Sequence, residues 1–281
     1  MRTHLALLAL ALVATAAAAP APAPSRDVEI VALDYAFKAP ATVAAGRTTF
    51  RFTNNGKVPH ELNVALLKPG ITIRQYMDAV NADKPTEPFR EGPVGVLFAG
   101  PGKRSVAGLS TELLAGRTYA VICIFKDKPG AKAHFAMGMF SAITIAPGAA
   151  APTHLTRVDT IAGADYAYVR YPRTVAPGHH SFAFVNEGKQ RHEVSMFMLK
   201  RGVTLKKALG TDAASGDMDA LIETDLGLLH APSKTSPLGL LEVDMLPGRD
   251  YHIICTFSDD AKSKPHVMLG MLGTIHVRSA R

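Results

Sequence analysis

The chain has 281 residues, two of them cysteine, and its 31 Lys and Arg against 24 Asp and Glu give a formal net charge of +7. This length exceeds the roughly 100–200 residues of a usual single domain and favours two compact domains. The basic residues form no arginine-rich stripe interleaved with aromatic residues, which argues against nucleic-acid binding.

The first segment of the chain has the layout of a secretory signal peptide. An apolar run follows Arg2, and small residues continue to Ala19. We predict a signal peptide over residues 1–19, an Ala/Pro linker over 20–26, and a mature protein in the periplasm or outside the cell. No other apolar run approaches the roughly 18 residues that a span requires, so we expect no membrane span in the mature protein.

Short β-type segments dominate the chain from residue 27 onward. They are rich in β-branched and aromatic residues and end at Gly, Pro or Asn turns, a spacing typical of a β-sandwich. A capping-box sequence, Thr72-x-x-Gln75, predicts one short helix, with a counterpart near Thr204. The predicted strands of the first half are 27–33, 47–53, 62–67, 109–114, 118–125 and 140–145.

The pattern occurs twice in the chain. His60-Glu61 falls on His192-Glu193 at an offset of 132 residues, and no gap is needed between residues 46 and 139. Upstream, Asp34-Tyr35 resembles Asp165-Tyr166 at an offset of 131. An Ala/Pro-rich linker over 148–153 separates the copies, so we predict two domains, 27–147 and 154–279.

Metal-binding residue types are few and are repeated. Between residues 27 and 153 the only two histidines are His60 and His134, and the only cysteine is Cys123; all three recur in the second copy. Two imidazoles, a thiolate and a weak thioether form a soft donor set that suits type 1 copper. The candidate ligands are His60, Cys123, His134 and Met139 in the first copy and His192, Cys255, His266 and Met271 in the second.

The cysteines have other interpretations. In an oxidising compartment the default for a pair is a disulfide, but Cys123 and Cys255 hold equivalent places in separate domains, so we predict none. A cysteine on an apolar strand is commonly a small core residue. A metal-free sandwich with a structural or protein-interaction role is therefore the alternative function.

The motifs resemble the cupredoxin superfamily over nearly all of both domains. Members carry an upstream His, a Cys at the end of a later strand, and then a His and a Met with the His-x4-Met spacing found here. The resemblance implies an all-β fold of two tandem cupredoxin-like Greek-key β-sandwiches, each with one short helical insertion and one type 1-like copper site. One feature departs from the family: ten residues, 124–133 or 256–265, separate the Cys from the second His, where cupredoxins usually have only a few.

The resemblance implies copper binding for electron transfer or copper handling, with a redox partner protein. Nitrite reductases and oxidases of the family need further histidines, typically beside the copper cysteine or as His-x-His pairs. Here Ile122 and Ile124 flank Cys123, and no His-x-His occurs. We therefore predict that the protein is not an enzyme, while its oligomeric state stays open.

The remaining polar candidates receive simpler interpretations. Glu61 and Glu193 either support a histidine ligand or are solvated strand charges. The other histidines beyond the signal segment are interpreted as surface residues: His154, His179, His180, His230, His252 and His276.

Overall fold

The computed structural model describes residues 26–148, 157–210 and 217–279. The predicted signal peptide and nearly all of both predicted linkers lie outside these residues, so the boundaries 27–147 and 154–279 stay predictions. Within the described ranges, no helix is both long enough and apolar enough to cross a membrane.

Each copy contributes nine strands among the described residues. Those of the first copy are β1 (Arg26–Leu33), β2 (Ala36–Lys38), β3 (Thr42–Val43), β4 (Gly46–Asn54), β5 (His60–Leu67), β6 (Arg90–Ala99), β7 (Gly108–Leu113), β8 (Thr118–Ile122) and β9 (Phe140–Ile145). Those of the second are β10 (Asp159–Ala164), β11 (Ala167–Arg170), β12 (Thr174–Val175), β13 (Gly178–Asn186), β14 (His192–Leu199), β15 (Ile222–Ala231), β16 (Gly239–Met245), β17 (Asp250–Ile254) and β18 (Leu272–Val277).

The strands form two sheets, and both sheets run through both copies. The smaller has the order β11-β10-β13-β16-β7-β4-β1-β2, and the larger has the order β12-β18-β17-β14-β15-β6-β5-β8-β9-β3. Alternation along β4 places Phe50 and Phe52 in the core, both fully buried, as the period-two pattern predicts. The predicted fold, two tandem cupredoxin-like Greek-key β-sandwiches, is confirmed.

The two copies join edge to edge along a seam in each sheet. Strand β7 pairs antiparallel with β16, with Leu109 opposite Leu241, and β6 pairs antiparallel with β15, with Val96 opposite Leu228. Each pair consists of equivalent residues of the two copies. A pseudo-two-fold axis therefore passes through both pairs.

Close packing between the sheets holds this seam. A Cβ on Gly95 would lie 2.6 Å from Leu109 Cδ1, and one on Gly227 would lie 2.8 Å from Leu241 Cδ1. Glycine is therefore needed at 95 and 227, because the leucine of the facing sheet, Leu109 or Leu241, packs where a side chain would otherwise lie. On the polar side of the same seam, the Ser110 hydroxyl donates a hydrogen bond to the Glu242 carboxylate of the other copy.

The helices lie against the larger sheet. Helix α1 (Ile73–Asn81) begins at the predicted capping box, in which Thr72 Oγ1 accepts from Gln75 N at 3.3 Å and Gln75 Oε1 accepts from Thr72 N at 2.9 Å. Tyr76 and Met77 pack on Leu67 of β5. The second copy differs from the prediction because it has two short helices, α2 (Leu205–Leu209) and α3 (Asp217–Leu221).

Candidate metal centre

Strand ends bring the histidines and the cysteine of each copy together. His60 is the first residue of β5, and Cys123 follows directly after β8. His134 begins a 3₁₀ turn, His134–Met137, which is tied back by a hydrogen bond from Phe135 N to Cys123 O at 2.9 Å. The ten-residue loop therefore leaves the end of the sandwich and returns His134 beside the cysteine.

The three side chains of the first copy face one another through their donor atoms. The Nδ1 atoms of His60 and His134 are 3.0 Å apart, and Cys123 Sγ lies 3.4 Å from His134 Nδ1 and 3.9 Å from His60 Nδ1. All three residues are buried. Glu61 N donates a hydrogen bond to the sulfur at 3.4 Å, which stabilises negative charge on it.

These separations fit a metal ion. A point equidistant from atoms 3.0, 3.4 and 3.9 Å apart lies about 2.0 Å from each, close to metal–nitrogen bond lengths. The second copy repeats all three distances with His192, Cys255 and His266. The donor set therefore fits one ion in each copy, which two imidazoles and a sulfur would hold.

The predicted axial methionines are linked to these groups through their backbones. Met139 is fully buried; its N donates to His134 O at 3.0 Å, and its carbonyl accepts from Cys123 N at 3.2 Å. Gly138 allows this tight return because its φ of 107° lies in the left-handed region. Met271 has the same backbone contacts, and its side chain packs against Gly163 of β10, where a Cβ would lie 2.6 Å from Met271 Cε.

Burial controls the protonation of the donors. Burial and the neighbouring His134 lower the pKa of His60 to about 4, so this imidazole stays neutral near pH 7 and keeps a lone pair for a metal. Burial raises the pKa of the Cys123 thiol, and of the Cys255 thiol, to about 12. Metal binding as thiolate would therefore release a proton.

An aspartate and a tyrosine that the sequence interpretation missed complete each site. Asp127, in the long loop, accepts from His134 Nε2 at 2.9 Å through one carboxylate oxygen and from the Tyr35 hydroxyl at 2.8 Å through the other. The Tyr35 ring stands edge-on to the His134 imidazole, with centroids 5.0 Å apart. The signal was present in the repeat, since both residues recur in the second copy as Asp259 and Tyr166.

Both sequence interpretations of Glu61 and Glu193, as support for a histidine ligand or as solvated strand charges, are wrong. They are buried, not solvated, and among the described residues neither carboxylate accepts a hydrogen bond from a histidine. Glu61 Oε1 accepts from the backbone N of Ile124 at 3.0 Å, and Glu193 Oε1 accepts from Thr256 N at 2.9 Å and from its hydroxyl at 2.6 Å. These carboxylates hold the chain immediately after each cysteine.

A glycine packs against the upstream histidine. His60 Nε2 is buried without a hydrogen-bond partner among the described residues, and a Cβ on Gly56 would lie only 3.0 Å from it. Gly188 stands in the same relation to His192 Nε2, at 2.9 Å. Only a residue without a side chain fits here, so these glycines set the position of the imidazoles.

The surface interpretation of the other histidines is wrong for three of them. His252 is buried beside Phe197 of the neighbouring strand β14, with Nδ1 3.0 Å from Thr274 Oγ1. His180 is buried, with Nδ1 2.6 Å from Asp159 Oδ2. His230 is largely buried beside Phe257. His154 lies outside the described residues, whereas His179 and His276 are exposed.

Several solved structures of copper proteins are similar to this chain. Dithionite-reduced auracyanin from Roseiflexus castenholzii is 21% identical at a TM-score of 0.30, over 44% of this chain and 100% of that one. The "blue" copper protein auracyanin A from Chloroflexus aurantiacus is 19% identical at 0.29, over 43% and 99%. Copper nitrite reductase from Nitrosomonas europaea is 13% identical at 0.26, over 90% and 94%.

No family model and no curated protein matches the chain. Each copy forms a sandwich that brings two histidines and a cysteine together at one end. The resemblance to the cupredoxin superfamily that the motifs suggested is confirmed in the fold and in these two His, Cys, His groups.

Proposed function

We propose that the protein is an electron carrier that binds one copper ion in each copy. His60, Cys123 and His134 would hold the first ion, and their counterparts in the second copy would hold the second. The observation that carries the proposal is the triangle of Nδ1, Nδ1 and Sγ atoms, which has the same dimensions in both copies. Copper in such a site supplies one-electron transfer.

The composition and burial of the donor set favour copper over zinc. A structural zinc site is closed by four nitrogen, sulfur or oxygen ligands, and a catalytic zinc site keeps a water position. Here each group offers three such donors in a buried place, and a buried methionine, Met139 or Met271, is hydrogen-bonded through its backbone to the cysteine and the downstream histidine. We propose these methionines as weak axial ligands that tune the reduction potential more than they hold the metal.

The setting of the protein is part of the proposal. The signal-type segment favours the periplasm or the outside of the cell, where a redox partner protein would deliver or receive the electron. We propose no catalytic role, because the residues beside Cys123 and Cys255 are Ile and Thr and offer no imidazole for a second copper centre.

Visible absorption of the protein titrated with Cu(II) tests this function. We expect an intense charge-transfer band with a contribution from each copy, because Cu–thiolate bonding produces the colour. Cys123→Ser should remove one share and leave the other, and Cys123→Ser with Cys255→Ser should abolish the band. A wild-type protein that stays colourless with copper would instead support the metal-free sandwich.

A further inference from the structure

The long loop between the cysteine and the downstream histidine carries one acidic group to each site. Asp127 Oδ1 lies 2.9 Å from His134 Nε2, and Asp259 Oδ1 lies 3.1 Å from His266 Nε2. The imidazoles themselves are buried, whereas the aspartates are about one third exposed. Each carboxylate therefore stands between the edge of a ligand ring and solvent.

The loops differ at most positions but share this group. Over 124–133 and 256–265, only three of ten positions are identical, and Asp127/Asp259 is one of them. Turn residues such as Pro129 and Gly130 are replaced in the second copy by Ala261 and Lys262 without loss of the contact. The aspartate is therefore the same in both copies, although most of the loop around it differs.

A strained tyrosine fixes the carboxylate from the other side. Tyr35 and Tyr166 have φ values of 61° and 72°, which are unfavourable for a bulky residue. Both occupy the turn between the first two strands of their copy, and both donate the phenol hydroxyl to the aspartate. A two-residue hairpin turn requires positive φ, and in each copy this turn places the phenol hydroxyl against Asp127 or Asp259.

We propose that Asp127 and Asp259 are positioning residues of the two copper sites, which hold the downstream imidazole by Nε2 and lower the reduction potential of the ion. With Nδ1 facing the metal, Nε2 carries the proton and donates it to the carboxylate. This bond orients the ring and makes it a stronger donor. The added negative charge favours Cu(II) over Cu(I). The inference rests on the proposed function.

The test uses the full chain with one site silenced. In a Cys123→Ser background only the second site is coloured, and Asp259→Asn can be compared there with Asp260→Asn. The amide of the Asp259→Asn variant keeps one oxygen as acceptor for His266 Nε2 and removes the charge, and its NH2 group takes the place of the oxygen that accepts from Tyr166. Asp260 is the matched control, because it is adjacent and exposed, and its carboxylate accepts from Lys262 and Ser263 within its own loop.

Mutation of such an outer partner of a metal ligand typically weakens metal binding about 10–100-fold. If Cu(II) affinity falls about tenfold more than Cu(I) affinity, the potential of Asp259→Asn rises by about 59 mV. Spectroelectrochemical titration of the visible band measures this shift. We expect Asp260→Asn to match its parent, and Asp127→Asn in a Cys255→Ser background to repeat the rise at the first site.

Three results would overturn the inference. If the band is retained and both Asp259→Asn and Asp260→Asn keep the potential of their parent, the aspartate has no such role while the copper function stands. Equal shifts in both variants would indicate a general charge effect. A colourless Cys123→Ser parent would remove the copper function of the second site and the inference with it.

Discussion

The fit of Gly56 against the upstream imidazole gives a sharp prediction for Gly56→Ala. The new Cβ would lie 2.7 Å from Asp34 Oδ1, 3.0 Å from His60 Nε2 and 3.1 Å from Asn54 Oδ1. Hydrogen bonds hold the two oxygens in place: Asp34 Oδ1 accepts from Lys57 N at 2.6 Å, and Asn54 is buried and donates to two carbonyls. The φ of Gly56 is not positive, so the backbone itself tolerates alanine.

The magnitude follows from the distance that must be relieved. An ordinary contact of about 3.4 Å requires the imidazole of His60 to retreat by about 0.4 Å, and overpacking of this kind costs about 1–3 kcal/mol. Metal–ligand distances tolerate only about 0.2 Å. We therefore expect Gly56→Ala to lower the free energy of unfolding of the metal-free protein by about 1–3 kcal/mol. Copper affinity at the first site should fall at least about tenfold.

Urea unfolding and copper titration in a Cys255→Ser background measure the two effects separately. Gly100→Ala is the control, because its Cβ would meet only Lys103 Cδ, at 3.7 Å. The steric reasoning is refuted if Gly56→Ala unfolds at the same urea concentration as Gly100→Ala and binds copper equally well.

Two further predictions concern the seam and a buried histidine. Leu109→Ala at the pseudo-two-fold axis should cost about 2–5 kcal/mol in urea unfolding, since this fully buried leucine packs on Gly95 of the other sheet; an exposed leucine, Leu246, should tolerate the same change at almost no cost. Burial, with Arg90 and Arg191 nearby, lowers the pKa of His230 to about 3. The unfolded state binds this proton as the pH falls below about 6.5, whereas the folded state does not bind it until about pH 3. The free energy of unfolding is therefore unaffected by this residue above about pH 6.5 and decreases as the pH falls, by up to about 2 kcal/mol at pH 5. His230→Phe, the residue type of its counterpart Phe98, should flatten the dependence, and an unchanged slope of unfolding free energy between pH 7.5 and 5 would contradict it.

The sequence predicts well what repetition and alternation encode. The inward Phe50 and Phe52, the capping box at Thr72 and the pairing of each cysteine with two histidines all follow from local pattern or from the 132-residue offset. Strand β6 is not among the predicted strands. Its Gly92, Pro93 and Gly95 are typical of a loop, and they are accommodated here by a bulge against β5.

Contacts made by tertiary structure are harder to predict. Asp127 lies in a segment typical of a turn, and nothing local shows that its carboxylate meets Tyr35, 92 residues away. The seam is equally hard to predict, because Leu109 occupies an apolar strand position like that of any other core residue. Comparison of the two copies for retained polar residues in otherwise divergent loops would have found the aspartates.

The seam also bears on how such a chain arises. Residues 26–148 alone would expose the edges of β6 and β7, and the axis makes these edges self-complementary. Two separate copies would therefore be expected to meet as an isologous homodimer, and the present chain has the arrangement that fusion of such a dimer would give. In a fused chain the two copies can carry different residues at equivalent positions, which identical subunits cannot. Ser110 and Glu242 are equivalent positions that bond across the seam, whereas a homodimer would place serine near serine or two buried glutamates near each other.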